Sequence, residues 1–274
     1  MTDKAIFITG GGSGIGRAVA QLFAARGWFV GLADINPQGL DESARLLPPS
    51  SCSTHQLDVR DRAAWDAALA AFSAAAGGRI DAVFNNAGIG TGGMLEDLSQ
   101  DEIDTLIAIN FRGVVNGAQA ALPHLRQSAP GSVLINTASA AAIYGSGGLA
   151  LYSATKFAVR GLTEALDSEW ADDGIRVCSL MPSFVDTAIL AGPANKRSNM
   201  SKRESVIRSG LEFTPVEQVA EVVWQAAHGT KLHNLVGKTA KSMAFAAKWL
   251  PGKMRHRSRR IMQTRQTIQA EDKA

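Results

Sequence analysis

Short apolar runs alternate with stretches in which apolar residues recur every three or four positions. Ala5-Ile6-Phe7-Ile8-Thr9 is β-branched and aromatic, as a buried strand requires. After a glycine-rich turn, Val19, Leu22 and Phe23 share one helical face, and Gly27 stops that helix. Trp28-Phe29-Val30-Gly31-Leu32-Ala33 reads as a second strand ending at Asp34. Further strands are expected near 54–57, 82–85, 132–136 and 176–180, and helices near 62–75, 98–108, 111–126, 151–170 and 215–228. Such alternation predicts an α/β fold: a single Rossmann-type, doubly wound parallel sheet with helices on both faces. Pro48-Pro49-Ser50-Ser51 is a surface turn, too short for a domain boundary, and no repeat or linker divides the chain.

With 274 residues the chain can bury a substantial core as one domain. We therefore assign 1–238 to one catalytic domain and 239–274 to a basic C-terminal extension that is not a separate domain. Residues 127–155 carry no charge, yet Asn136, Thr137, Ser139 and Gly145-Ser146-Gly147-Gly148 argue against a membrane span. Cys52 and Cys178 have no metal-ligand spacing; reduced, buried thiols suit a cytoplasmic protein. Met1-Thr2-Asp3-Lys4 leads straight into the first strand, without a signal-peptide pattern. The five histidines form no ligand set, so no metal is expected, and basic-aromatic interleaving of the kind that reads nucleic acid is missing.

Charge changes the picture at the C-terminus. Residues 231–265 hold ten Lys and Arg and no acid, and removing those ten from the formal charge of +3 leaves the rest at −7. An apolar stretch with Met243, Phe245, Ala246, Ala247, Trp249 and Leu250 precedes the run Arg255-His256-Arg257-Ser258-Arg259-Arg260. Three arrangements fit: packing over the substrate site, peripheral attachment to an anionic membrane, or partial disorder. Packing over the protein is the expectation for 239–250.

The candidate chemistry lies in two places. Gly10-Gly11-Gly12-Ser13-Gly14-Ile15-Gly16 joins a strand to a helix start, the geometry that sets a pyrophosphate on free amides. Its spacing is G-x-x-x-G-x-G rather than G-x-G-x-x-G. Asp34, eighteen residues past Gly16, stands where a carboxylate accepts from an adenosine ribose and repels a 2′-phosphate. NAD is thereby favoured over NADP. Tyr152 and Lys156 are four apart on one helical face, and Ser139 precedes them by thirteen positions. A free phenol, with pKa about 10, is a poor base at neutrality. An ammonium about 4 Å away at an effective dielectric of about 20 contributes roughly 4 kcal/mol, about three pKa units, which would bring the phenol near 7. Alone, a Tyr–Lys pair at this spacing also fits an exposed helix; the surrounding motifs favour chemistry.

These motifs, with Asp58-Val59, Asn85-Asn86-Ala87-Gly88, Asn110 and Pro182 to Thr187, resemble the short-chain dehydrogenase/reductase family over roughly 4–235. The resemblance implies Tyr152 as acid/base, Ser139 as holder of the substrate oxygen, and Lys156 as pKa modifier and ligand of the nicotinamide ribose. Asn110 would hold a water linking Lys156 to solvent. It implies a cofactor site of Gly10, Ser13, Gly14, Ile15, Gly16, Asp34, Asp58, Val59, Asn86, Ala87, Gly88, Tyr152, Lys156, Pro182, Val185 and Thr187. Asp58 would meet the adenine amino group and Thr187 the nicotinamide carboxamide. One departure is Ser183, where the family usually has glycine. The expected function is NAD-dependent interconversion of a secondary alcohol and a ketone. Ala142, Ile143, Tyr144, Leu149, Phe184, Ile189 and Leu190 would border an apolar, bulky substrate. A 3-oxoacyl thioester reductase and an NAD-sensing binding protein are the alternatives. The resemblance also implies a homotetramer or homodimer through the helices at 111–126 and 151–170.

Overall fold

The computed structural model describes residues 4–90, 92–187, 190, 193–195, 198–208 and 210–271. Seven parallel strands form the main sheet: β1 (Ala5–Thr9), β2 (Phe29–Asp34), β3 (Cys52–Gln56), β4 (Ala82–Asn85), β5 (Val133–Thr137), β6 (Arg176–Pro182) and β9 (His233–Val236). Their order is β3-β2-β1-β4-β5-β6-β9. Every residue of β1 is buried, as expected where helices cover both faces of a parallel sheet. On one face, α1 (Gly14–Ala25) and α8 (Val216–His228) pack Val19, Phe23, Val219 and Val223 against Ile6, Ile8 and Leu32. On the other, α3 (Arg62–Ala75) and α5 (Gly113–Ser128) bring Trp65, Leu69, Phe72, Ala118 and Leu125 onto Phe7, Val83 and Leu134. The doubly wound expectation holds.

Several boundaries differ from the sequence reading, each for a local reason. Helix α2 (Pro37–Arg45) was not expected; it starts where Asn36 accepts from the Gln38 and Gly39 amides, with Pro37 in the first turn. Helix α4 (Gln100–Ile107) begins later than expected because Ser99 and Glu102 form a reciprocal capping box. The helix expected from 111 begins at Gly113, after a π-helical turn over Ala108–Arg112. Such turns insert one extra residue into the helical ladder and concentrate at functional sites. Helix α6 (Ala150–Glu169) falls within a residue of expectation. Residues 127–155 divide among the end of α5, β5, a loop and the start of α6. Among the described residues no helix is long and apolar enough to cross a membrane.

A small antiparallel pair, β7 (Pro193–Asn195) and β8 (Ser198–Ser201), precedes α7 (Lys202–Arg208). After β9 come α9 (Lys238–Trp249) and α10 (Pro251–Glu271). Strand order reverses between β1 and β4: the chain leaves the β3 edge and crosses to the opposite side of β1. A crevice therefore opens beyond the carboxyl ends of β1 and β4, the usual ligand position in such sheets.

Candidate active site

The glycine turn is fastened to the end of β4. The Thr9 hydroxyl accepts from the Asn86 and Ala87 amides at 3.0 and 3.1 Å, and Asn86 Nδ2 donates to the Thr9 carbonyl at 3.0 Å. Gly10 has a φ of 68°, and a Cβ there would approach Asn86 Nδ2 to 2.8 Å. A Cβ on Gly16 would strike the Gly10 carbonyl. Both glycines are thus required by close approach, which holds residues 9–16 and 86–88 together. Helix α1 begins after Ser13 with no capping side chain and no acid in its first turn, so its amide ends suit an anion. Ile15 packs partly buried on the core beside them.

Asp34 closes the adenosine end. Its carboxylate accepts from the Gly12 and Asn36 amides, both at 3.0 Å. Arg17, the nearby cation, is held by Ser43 at 2.8 Å, the Gly12 carbonyl at 2.6 Å and Glu42 at 2.8 Å. Asp58 is paired with Arg60 at 2.6 Å, and hydrogen bonding from that guanidinium holds its carboxyl below the usual range. The Val59 carbonyl accepts from Trp65 Nε1 and Asn116 Nδ2, both at 3.1 Å, which fixes the turn after Asp58. An anion-compatible helix start, a carboxylate at the end of β2 and a buried lysine together fit a dinucleotide.

At the end of β5, Ser139 starts a 3-10 turn over Ala140–Ala142, its hydroxyl accepting from the Ala141 amide at 3.1 Å. Helix α6 sets Tyr152 and Lys156 one turn apart, and the Ser139 hydroxyl lies near enough to the Tyr152 phenol to favour its ionised form. Lys156 is 4% exposed, donates to the Thr137 carbonyl at 2.8 Å, and lies 5.8 Å from the Tyr152 ring centroid. Asn110, in the π-helical turn, is fully buried and exchanges two 2.9 Å hydrogen bonds with the Ile89 backbone. A Cβ on Gly88 would lie 3.2 Å from Asn110 Oδ1 and 3.6 Å from Lys156 Nζ, so Gly88 sits between them. The structure therefore gathers Ser139, Tyr152, Lys156, Asn110 and the 86–88 loop.

One expectation needs correction. The ammonium was expected to bring the phenol near 7. Burial raises the Tyr152 phenol above its ordinary value of 10, and the nearby Ser139 hydroxyl offsets only part of this. Burial also lowers Lys156 from 10.5 to about 8. The reason is that a low-dielectric setting penalises phenolate and ammonium alike, while the lysine is directed at a carbonyl.

The loop after β6 completes the crevice. Pro182 ends the strand, and the Ser183 amide donates to the Val236 carbonyl at 3.1 Å. Val185 bridges Thr214, and the Thr214 amide donates to the Phe184 carbonyl at 2.8 Å. Ser183 adopts no left-handed φ, so a residue with a Cβ fits there, and its buried hydroxyl lies over Gly237, where a Cβ would strike it. Thr187 comes back over Gly14, its Cγ2 3.1 Å from where a Cβ on that glycine would be. A narrow apolar cleft beside Tyr152, too tight to hold a water, is lined by Gly93, Leu95, Leu98, Leu106 and Leu149. Of the expected substrate wall, Leu149 lines this cleft. Ala142 is instead buried with Val114, Ala138, Val159 and Met181, with Ile143 packed on that cluster. Ile189 lies outside the described residues. Leu95, Leu98 and Leu106 were not singled out in the sequence; Leu106, on α4, is fully buried, and Leu95, before it, is exposed. Lys202 was missed too; half-buried, it donates to the Gly90 carbonyl at 2.8 Å.

A sequence profile described as short chain dehydrogenase matches residues 4–198. The chain is 33% identical to the meso-2,3-butanediol dehydrogenase of Serratia marcescens over 233 residues, 85% of this chain and 90% of that one. The crystal structure of a levodione reductase superimposes with a TM-score of 0.78 at 31% identity, covering 89% of this chain and 99% of that one. A 3-ketoacyl-(acyl-carrier-protein) reductase from Brucella melitensis, complexed with NADH, gives a TM-score of 0.74 at 29% identity, covering 86% and 98%.

Lys156 supplies a test of the burial account. Its folded pKa lies below the unfolded one, so folding penalises the ammonium at pH below about 8, and the penalty fades as pH rises to the unfolded value of 10.5. That penalty is about 3 kcal/mol, against about 1 kcal/mol lost with the bond to Thr137. Lys156→Met should therefore raise stability by about 1–2 kcal/mol at neutral pH and by less at about pH 10, read by urea unfolding at both. A destabilised variant at neutral pH would contradict the account.

Proposed function

The chain belongs to the short-chain dehydrogenase family, and on that basis we propose that it is an NAD-dependent oxidoreductase interconverting a secondary alcohol and a ketone. The observation that carries this reading is the gathering of Ser139, Tyr152, Lys156 and Asn110 between the glycine turn and the apolar cleft. When bound, the nicotinamide supplies the hydride acceptor or donor for the substrate carbon. Tyr152 takes the alcohol proton as the carbonyl forms, or returns it in reduction. Ser139 holds the substrate oxygen beside that phenol. Lys156 binds the ribose and supplies positive potential at Tyr152, and Asn110 holds a water between Lys156 and solvent.

Gly10, Ser13, Gly14, Ile15 and Gly16 would receive the pyrophosphate, with Asp34 on the adenosine ribose. Asp58, Val59, Asn86, Ala87 and Gly88 line the adenine and adenosine side. Pro182, Val185 and Thr187 line the nicotinamide side. Leu95, Leu98 and Leu149 beside Tyr152 support an apolar substrate, and the levodione reductase neighbour is a reductase of the same fold. A second reading, reduction of a 3-oxoacyl thioester, is favoured by the Brucella neighbour and its NADH.

Tyr152→Phe removes the proton carrier and keeps the ring's packing, so turnover should fall by about three orders of magnitude or more while NAD affinity by calorimetry stays within a few-fold. Turnover near wild type would refute the mechanism. A substrate screen with NAD, comparing apolar alcohols with 3-hydroxyacyl thioesters, separates the two readings.

Cofactor choice rests on Asp34. Its carboxylate and the engagement of Arg17 by Glu42 oppose a 2′-phosphate. The native enzyme should prefer NAD, and Asp34→Ala with Ile35→Arg should move that preference toward NADP. Native preference for NADP in side-by-side kinetics would overturn the assignment.

Helices α5 and α6 support a homotetramer or homodimer: Phe157 on α6 is 40% exposed although large and apolar. Light scattering at micromolar concentration should give a multiple of the chain mass, and a stable monomer would contradict this.

A further inference from the structure

Beyond β9 the usual burial order is inverted. Helix α9 turns small residues toward the protein: Ala240 is fully buried, and Met243, Ala244 and Ala247 are partly covered. Its opposite face carries Lys241, Phe245, Lys248 and Trp249. Phe245 and Trp249 are each 62% exposed, and Leu250 just after them is 39% exposed. Positions 241, 245 and 249 are successive turns of one stripe, so lysine and aromatics share a single outward surface. Lys248 lies 5.0 Å from the Trp249 ring centroid. The expectation that the apolar residues of 239–250 cover the substrate site is therefore not met for Phe245, Trp249 and Leu250.

Helix α10 continues the same character. Met254, Ser258 and Met262 form its partly covered stripe, with Met262 against Gly147 in the loop between Ser139 and Tyr152. Lys253, Arg255, Arg257 and Arg259 are exposed. With no acid in 231–265 and a net −7 elsewhere, this is the region of the chain suited to approach a negative surface.

We propose that α9 and α10 form a docking surface for an anionic lipid membrane. Phe245, Trp249 and Leu250 enter the headgroup boundary, with the Trp249 indole N–H at its polar edge. Lys241 and Lys248 meet lipid phosphates beside the aromatic rings, while Lys253, Arg255, Arg257 and Arg259, spread over two flanks of α10, add attraction at longer range. Charge alone would suit any polyanion; exposed Phe245, Trp249 and Leu250 on and just after the helix that carries Lys241 and Lys248 also call for an apolar phase beneath the charge. Attachment is peripheral, since no described helix is a span.

The test is co-sedimentation of the full chain with phosphatidylcholine vesicles, with and without phosphatidylglycerol. Binding should require phosphatidylglycerol and weaken with salt. Each neutralised lysine should cost about fivefold, so Lys241→Gln with Lys248→Gln should cost roughly twenty-five-fold. Phe245→Ser with Trp249→Ser should abolish binding while circular dichroism, NAD affinity and light-scattering mass stay unchanged. Tryptophan emission should shift to the blue on phosphatidylglycerol vesicles in the native protein and not in Trp249→Phe. Failure of the native chain to bind these vesicles would overturn the proposal. So would loss of assembly in the Phe245→Ser, Trp249→Ser variant, which would make a second copy the occupant. So would vesicle binding that survives that variant and is competed by single-stranded RNA, which would mark a general polyanion site.

Discussion

A parallel sheet that reverses its strand order between β1 and β4 cannot close over the carboxyl ends of those strands, because the following segments depart toward opposite edges. The site depends on that constraint. The glycine turn follows β1, the 86–88 loop follows β4, Ser139 follows β5 and the Pro182 loop follows β6, so all four open onto one rim. Thr9 links the first two through three hydrogen bonds, and Gly10 and Gly16 permit the approach. Helix α6 then needs only its own periodicity to present Tyr152 and Lys156 to the same rim.

Burial shapes the chemistry at that rim. Enclosing Lys156 moves it from 10.5 to about 8, and the same enclosure moves the Tyr152 phenol up. A shift of that size in the lysine corresponds to about 3 kcal/mol of opposition to its charge. Attraction between ammonium and phenolate must exceed such opposition before the phenol can act as a base near neutrality. The fold holds the two groups in place, and burial moves both away from their charged forms. A dinucleotide, bringing its own charges and hydroxyls, is what completes the tuning in the proposed mechanism.

Much of this was legible in sequence, and the exceptions are physically instructive. The β-branched runs and the Gly10, Gly14 and Gly16 spacing specified strand, turn and helix because those positions are constrained by local sterics. Ser139, Tyr152, Lys156 and Asn110 could be singled out by residue type and spacing. The π-helical turn that carries Asn110 could not, since the two 2.9 Å bonds to Ile89 join residues twenty-one apart. Spacing also showed that Tyr152 and Lys156 share a face without showing that the Lys156 ammonium turns to Thr137. The apolar stretch 243–250 was expected to pack over the protein, and in α9 its largest side chains do not. Alanines pack where helix and body lie close, and the large aromatics remain outside.

The most direct test of the central claim is the ionisation of the Tyr152 phenol. The chain has only two tyrosines, so Tyr144→Phe leaves Tyr152 as the sole source of tyrosinate absorbance. Titrated without cofactor, that absorbance should appear above the ordinary phenol value of about 10. With saturating NAD the midpoint should move down toward neutrality, and Lys156→Met should remove most of that movement. A midpoint that stays put when NAD binds would contradict the account, because the phenol would then be held in place by the fold but never brought into range as a base.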